Sequence, residues 1–307
     1  MKQKHIQQPT HALVVSSLTP VSFDVDTVYG TSNFHTTLLN DGKVALLSDG
    51  VAPSGSGYAV YLTVVDPITQ TVVNRFNYPE ANVVPAGHTF AYNYPRDVVQ
   101  LKDGGIVITG VAINSTTGKY GVYATIVNTD GTVKVPPFMV DEAAVIFQSE
   151  SISLLALDNG GFQVAYQDNV PTNTSVSNLK TSTFDVSGNL VQTGTTAGAT
   201  DTFTGGDKGD TFTANGGADI ILAGGGNDTV VINGDNITKL SQSNTMLLDG
   251  GSGINTLKIS DSGSTLDLTD ATIAAKVQGF NTIDLTGTGN NTLKLDPAAV
   301  ARIATTD

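Results

Sequence analysis

Four aspartates at a strict spacing of nine, Asp201, Asp210, Asp219 and Asp228, constrain this chain more than any other feature. Two residues after each comes an apolar side chain: Phe203, Phe212, Ile221 and Val230. Glycines fill the intervening turns as Gly205-Gly206, Gly216-Gly217 and Gly224-Gly225-Gly226. Such a nine-residue period reads as six residues of turn and three of strand. Glycine lets the turn adopt left-handed backbone and aim carbonyls inward. The apolar residue points inward and builds a thin core, and the Asp offers the hard oxygen that calcium prefers.

Two such units make one coil, so each turn stacks on the turn 18 residues later. Asp201 is thereby expected beside Asp219, and Asp210 beside Asp228, on opposite edges. Neighbouring coils lie about 4.8 Å apart, where two carboxylates repel by roughly a few kcal/mol at an effective dielectric near 20. Little apolar burial offsets that repulsion or the cost of ordering glycine. A divalent ion between the paired carboxylates reverses the sign, so metal binding and folding become one event. Gly- and Asp-rich composition alone would read as a flexible linker, but four Asp and four apolar residues in one register argue against it.

The pattern has flaws. Lys208 replaces a turn glycine, where its ammonium is expected to weaken a site at Asp210, and the turn before Asp201 is degenerate (Ala197-Gly198-Ala199-Thr200). After Asp228 the register lapses, with Ile237 and Met246 at the next phases. It returns at Gly250-Gly251-Ser252-Gly253-Ile254-Asn255, where Asn255 holds the Asp position. About two calcium ions, at most three, are expected.

Ahead of this region the texture differs. Strand patterns such as Lys43–Leu47, Ile106–Thr109 and Phe162–Tyr166 alternate with Asp-Gly and Asn-Gly turns. Anchors at Asp41, Asp103 and Asp158, 62 and 55 residues apart, mark repeating four-strand units of propeller-blade size. Val21–Asp26 reads as the last strand of a preceding unit. Three units and a fraction fall short of the four blades at which propellers close, which implies a chain beginning partway through a larger domain. A sandwich of the same hairpins is the other all-β reading. The expected organisation is an all-β fold. A propeller-like or otherwise repeated β-meander domain over 1–192 precedes a calcium-binding parallel β-roll over 193–260. A flank with short helices follows over 261–307, where Asp296-Pro297 opens a helix through Ile303, with Asp as cap and Pro first.

The nonapeptides resemble the repeats-in-toxin family of Gram-negative bacteria, specifically over Thr200–Gly234 and more loosely through Asn255. Val277–Leu293 looks like the flank after such rolls in large adhesins, and the Leu-x-Asp-Gly-Gly turns are similar to propeller-like repeats upstream in that family. The resemblance implies turn carbonyls as further calcium ligands, here at Gly206, Gly217, Gly224 and Gly226, with Asn215 and Lys208 departing from the pattern. It also implies export by a type I system, a cytosol-unfolded chain, and an extracellular or cell-surface location.

Composition narrows the partners. A formal charge of −13 suits cations and disfavours nucleic acid. No cysteine is present, so disulfides and thiol chemistry are excluded. No apolar run reaches membrane-spanning length, and Ala12–Val15 is too short for a secretory core. Catalytic signatures are missing as well. His5, His11, His35 and His88 lack metal-ligand spacing, and Gly55-Ser56-Gly57 is no nucleophile elbow. Asp141 and Glu142, adjacent on a strand, would face opposite ways and read as a solvated turn. Tyr92, Tyr94 and Arg96 around Pro95 read as a packing loop before a sugar-binding surface. The expectation is therefore a secreted, adhesin-like calcium-binding module with an extracellular carbohydrate or protein ligand, rather than an enzyme. The alternative is a secreted polysaccharide hydrolase or lyase with its site in the N-terminal domain.

Overall fold

The computed structural model describes residues 34–52, 58–90, 96–141, 152–169, 177–194 and 197–303. The chain is mostly β, and it changes construction partway along. The first part is three antiparallel meanders. One sheet runs β1 (Phe34–Leu38), β2 (Val44–Val51), β3 (Tyr58–Asp66) and β4 (Thr71–Pro79), followed by the single-turn α1 (Glu80–Val83). In the second, β7 (Ile106–Asn114) pairs with β5 (His88–Phe90) and β6 (Asp97–Gln100) on one side and β8 (Tyr120–Val127) on the other, and β9 (Val133–Asp141) follows β8. The third is β10 (Ile152–Ala156), β11 (Phe162–Asn169) and β12 (Ser177–Phe184).

The Asp-Gly and Asn-Gly turns close the first hairpin of each meander in the same way. Gly42, Gly104 and Gly160 take left-handed φ of 83°, 91° and 97°, and their N–H groups donate to Leu39, Leu101 and Leu157 carbonyls. The preceding side chain accepts the N–H two residues on: Asp41 from Lys43, Asp103 from Gly105, Asn159 from Gly161. The third anchor is therefore Asn159 and not Asp158. Register is carried by the turn, and asparagine serves as well as aspartate.

The middle sheet is apolar on both faces because it lies between the other two. Ile106, Ile108 and Tyr123 belong to one core with Leu47, Leu62 and Val64 of the first sheet. Their strand neighbours Val107, Val122 and Ala124 belong to a second core with Phe162, Val164 and Phe184 of the third. The two-residue alternation of a strand thus feeds two interfaces at once. The lead strands β1, β6 and β10 run beside one another along one edge. There Asn40 N–H meets Gln100 Oε1 at 2.6 Å and Leu154 N–H meets Asp97 Oδ2 at 2.7 Å. Asp141 is not part of a solvated turn. Its carboxylate takes the Tyr166 hydroxyl at 2.9 Å and Lys180 Nζ at 3.1 Å, tying β9 to the third sheet. Glu142, Tyr92, Tyr94, Pro95, Gly55-Ser56-Gly57 and residues 1–33, with Val21–Asp26, lie outside the described residues.

From β13 (Val191–Thr193) onward pairing is parallel. One sheet is β13, β15 (Thr211–Thr213), β17 (Thr229–Ile232), β19 (Thr256–Ile259) and β22 (Thr282–Asp284). A second is β14 (Thr202–Thr204), β16 (Ile220–Leu222), β18 (Leu247–Asp249) and β21 (Val277–Gln278). Strands alternate between them in chain order, so Thr202 pairs with Ile220 and Thr211 with Thr229. Then α2 (Gly234–Gln242) enlarges the coil, and Ile220 pairs with Leu247, Thr229 with Thr256. A two-strand sheet of β20 (Thr265–Asp267) and β23 (Thr292–Lys294), with α3 (Ala271–Ala274) and α4 (Pro297–Ile303), completes this part.

The lapsed register is that helix. Asn233 caps it in a reciprocal box with Asn236, and Ile237 and Leu240 turn into the core. A helical phase was not visible from a nine-residue strand period. The central residue of each short strand points inward, from Phe203, Phe212, Ile221 and Val230 to Leu248, Leu257 and Leu266, in one core that ends on Ala299 and Ile303 of α4. β13, which spans the expected 192/193 boundary, pairs with β15, and one core draws on both 193–260 and 261–307. The helix from Pro297 is present, with Asp296 Oδ1 accepting Ala299 N–H at 2.6 Å. Among the described residues no helix is long and apolar enough to cross a membrane.

Candidate metal centre

Each aspartate of the nine-residue series sits just before a strand, where the backbone leaves the turn. There a main-chain N–H lacks a sheet partner and must find one elsewhere. The side chain of the next coil supplies it. Leu190 N–H donates to Asp210 Oδ1 at 2.8 Å, Asp210 N–H to Asp228 Oδ1 at 2.7 Å, and Asp228 N–H to Asn255 Oδ1 at 2.9 Å. The ladder continues through Asn255 N–H to Asn281 Oδ1 at 2.8 Å. On the other edge Asp201 N–H donates to Asp219 Oδ1 at 2.8 Å. The structure thus brings Asp201 to Asp219 and Asp210 to Asp228, and seats Asn255 in line with the second pair.

One oxygen each of Asp210, Asp219 and Asp228 is spent on this ladder, and the second oxygens differ. Asp210 Oδ2 takes Gly206 N–H at 2.9 Å, and Asp219 Oδ2 takes the Asn236 amide at 3.0 Å. Asp228 is 1% exposed, and its Oδ2 is buried with no hydrogen-bond partner among the described residues. A buried acceptor left bare costs about 1–3 kcal/mol, more when charged. Burial raises the Asp210 carboxyl above its ordinary range, that of Asp219 to about 6 and that of Asp228 to about 7. The charges of Asp201 and Asp210 add to the last two respectively.

These shifts have a sign that can be checked. Carboxyls with folded pKa above the unfolded value, near 3.9, bind more protons in the native state. Without metal, stability is then fully present below about pH 4 and is lost as pH rises through about 7. In calcium-stripped buffer the urea midpoint of the parallel region should be lower at pH 8 than at pH 5. A midpoint that rises with pH over that interval would contradict this electrostatic picture.

The expected carbonyl donors lie in the stacked turns. Gly217, Gly224 and Gly226 have left-handed φ of 100°, 93° and 110°, whereas Gly206 does not. A Cβ on Gly226 would collide with the backbone of Lys208 and Gly209 in the coil below, and one on Gly217 with the Ala199 carbonyl. Asn215 also adopts φ 61°, which asparagine tolerates better than most residues. Three carbonyls already accept one hydrogen bond: Gly206 from Gly225 N–H, Gly224 from Ser252 N–H, and Gly217 from the Asn236 amide. Each keeps a second lone pair. Because backbone must move to admit a side chain, Gly226→Ala should destabilise the parallel region by more than the roughly 1 kcal/mol of a conformational penalty alone, read as a lowered urea midpoint in calcium.

Lys208 acts on Asp210 as its position suggests, its charge favouring the ionised carboxylate, and it has a second engagement. Its ammonium lies 4.4 Å from the centre of the Phe138 ring in β9 and donates to Ser187 O at 3.3 Å. The side chain thereby joins the antiparallel and parallel parts. Lys208→Ala should cost about 0.5–1 kcal/mol of stability through the lost cation–π contact, and, with its charge gone from beside Asp210, a calcium titration should show its midpoint at lower calcium than in wild type.

Among the described residues no three His, Asp or Glu side chains converge as a metal-ligand group. A cation here would draw on paired carboxylates and turn carbonyls, an all-oxygen set of the kind calcium takes. The orphaned Asp228 oxygen, the neighbouring Asp210 and the glycine carbonyls fit that requirement. No family model matches the chain, and no curated protein matches its sequence. A solved structure that is similar in part is an endo-arabinase from Bacteroides thetaiotaomicron, at 13% identity and a TM-score of 0.33, over 49% of this chain. The chain spans 55% of the length of that protein.

Sequence reasoning missed Asn236, Asn281 and Asn291. A signal for two of them was present: Gly253-Ile254-Asn255-Thr256-Leu257 recurs as Gly279-Phe280-Asn281-Thr282-Ile283, and Asn291-Thr292-Leu293 repeats its end. In each the Asn precedes a parallel strand, as the aspartates do. Asn236 carried no such signal, since it lies within a helix.

Proposed function

We propose that this is an extracellular calcium-binding protein whose residues 191–303 form a β-roll that orders around calcium and carries a propeller-like binding module at its N-terminal side. The observation that carries the reading is the buried, unpartnered Asp228 oxygen, one coil from a second buried aspartate, Asp210, whose N–H is bonded to the other Asp228 oxygen. Asp210, Asp228 and the carbonyls of Gly206, Gly224 and Gly226 would hold the ion, and Asp201 and Asp219 stack in the same way on the other edge. A bound cation supplies the charge that two adjacent buried carboxylates otherwise lack.

Calcium-poor cytosol and calcium-rich exterior then become two states of one chain. This suits export by a type I system in an unfolded form, followed by folding outside the cell. The three meanders, stacked face to face with their lead strands along one edge, support blades of a propeller-like module. An adhesin-like role toward extracellular carbohydrate or protein is the function this arrangement serves.

The test is a calcium titration of the full chain followed by far-UV circular dichroism, with magnesium as control. A gain of β signal in the range of roughly 0.1–1 mM calcium, absent with magnesium, is the expected result. A spectrum that is the same in chelator and in calcium would overturn the proposal.

A further inference from the structure

The two carboxylate edges differ in what occupies the space beside the second oxygen. At Asp219 that oxygen receives the Asn236 side-chain amide at 3.0 Å, and the same amide nitrogen donates to the Gly217 carbonyl at 3.1 Å. One NH2 group therefore bridges a carboxylate and a turn carbonyl, the two kinds of oxygen a calcium ion would gather. Asn236 is fully buried, and its position is fixed from the other side. Its Oδ1 accepts Gly216 N–H and the Asn233 N–H of the helix cap, both at 3.1 Å. One coil further along the opposite edge, Asn255 does the same for carbonyls, donating to Gly251 O at 3.2 Å and Gly279 O at 2.9 Å. At Asp228 no amide arrives, and there the oxygen is bare.

We propose that the side-chain amides of Asn236 and Asn255 stand in for calcium, closing the Asp219 edge and the third coil without metal and confining the ion to the Asp210–Asp228 edge. The proposal deepens the calcium reading and rests on it. The helix α2 acquires a reason: as an insertion it carries an amide donor to the place where the next coil would have put a carboxylate. An amide satisfies the same oxygens as a cation but adds no charge, so the coils it closes are indifferent to calcium. The expected number of ions falls accordingly, and Asn255 passes from ligand to replacement.

Asn236→Asp and Asn255→Asp test this, because each keeps the accepting oxygen and exchanges the donating NH2 for a second, charged carboxylate oxygen. Full-length wild type and both variants are refolded in calcium, and bound calcium is counted by equilibrium dialysis. Urea midpoints are measured in calcium-free buffer. The expected result is one further ion per chain in each variant, with a lower midpoint without calcium and recovery when calcium is restored. Asp228→Asn should do the opposite, losing the wild-type ion and raising the calcium-free midpoint. Wild-type binding with no added ion in either variant would overturn the stand-in role and leave the calcium function intact. No binding by wild type, with a gained ion in the variants, would remove the calcium function and leave the stand-in role. No binding by any of the three would overturn both.

Discussion

Raising free calcium to a hundred times its dissociation constant should add about 2.7 kcal/mol per site to the unfolding free energy of residues 191–303. If the proposed calcium reading holds, the metal-free state leaves two carboxylates in adjacent coils without a counter-charge, one of them with a bare buried oxygen. The stack has little else with which to meet that cost, since its strands are two to four residues long and each offers one or two inward side chains. Asp228→Ala removes the bare oxygen and the repulsion together. It should therefore lose nearly all the calcium response while being less destabilised in chelator than in calcium. The measurement is urea unfolding with two probes. All nine tyrosines lie before residue 167 and the chain has no tryptophan, so tyrosine emission reports the meanders while far-UV dichroism includes the stack. The dichroism transition should move with calcium and the tyrosine transition should move little. Equal midpoints with and without calcium would remove the metal from the account.

Much of this arrangement was legible because its physics is local. A strand of three residues has one inward position, so Phe203, Phe212, Ile221 and Val230 could be placed in the core from spacing alone. The same spacing placed each aspartate at a turn exit, and pairing 18 residues apart followed. What escaped was whatever depends on a second residue chosen for shape rather than period. Lys208 reads as a flaw in the turn until Phe138, 70 positions earlier, is seen beneath its ammonium. Asn236 reads as part of a lapse until the helix around it is known. The boundary at 192/193 was placed where composition changes at the glycines, whereas parallel pairing begins one strand earlier, at Val191–Thr193, which still looks like the antiparallel part. The anchor at Asp158 slipped by one because Asp and Asn fill the same turn position.

The second large effect concerns the core rather than the metal. Phe212→Ala should destabilise the parallel region by about 3–5 kcal/mol, the usual cost of emptying a buried phenylalanine site. The ring is 0% exposed, meets Phe203 edge-on at a centroid distance of 6.0 Å, and lies between Gln192 and Val230 in the stacked register. Relaxation is limited there because the phenyl ring is held on both sides by Phe203 and the strand register. Thr213→Ala, one residue on and facing outward on the same strand, is the control and should stay within about 0.5 kcal/mol. If the parallel region depends on both core and ion, Phe212→Ala at low calcium should abolish the stack's dichroism outright, and calcium should restore part of it by mass action on the folded state. A variant that unfolds equally at all calcium concentrations would mean that core and ion stabilise separate structures. The ladder linking Asp210 to Asp228 immediately before β15 and β17 argues that they stabilise the same one.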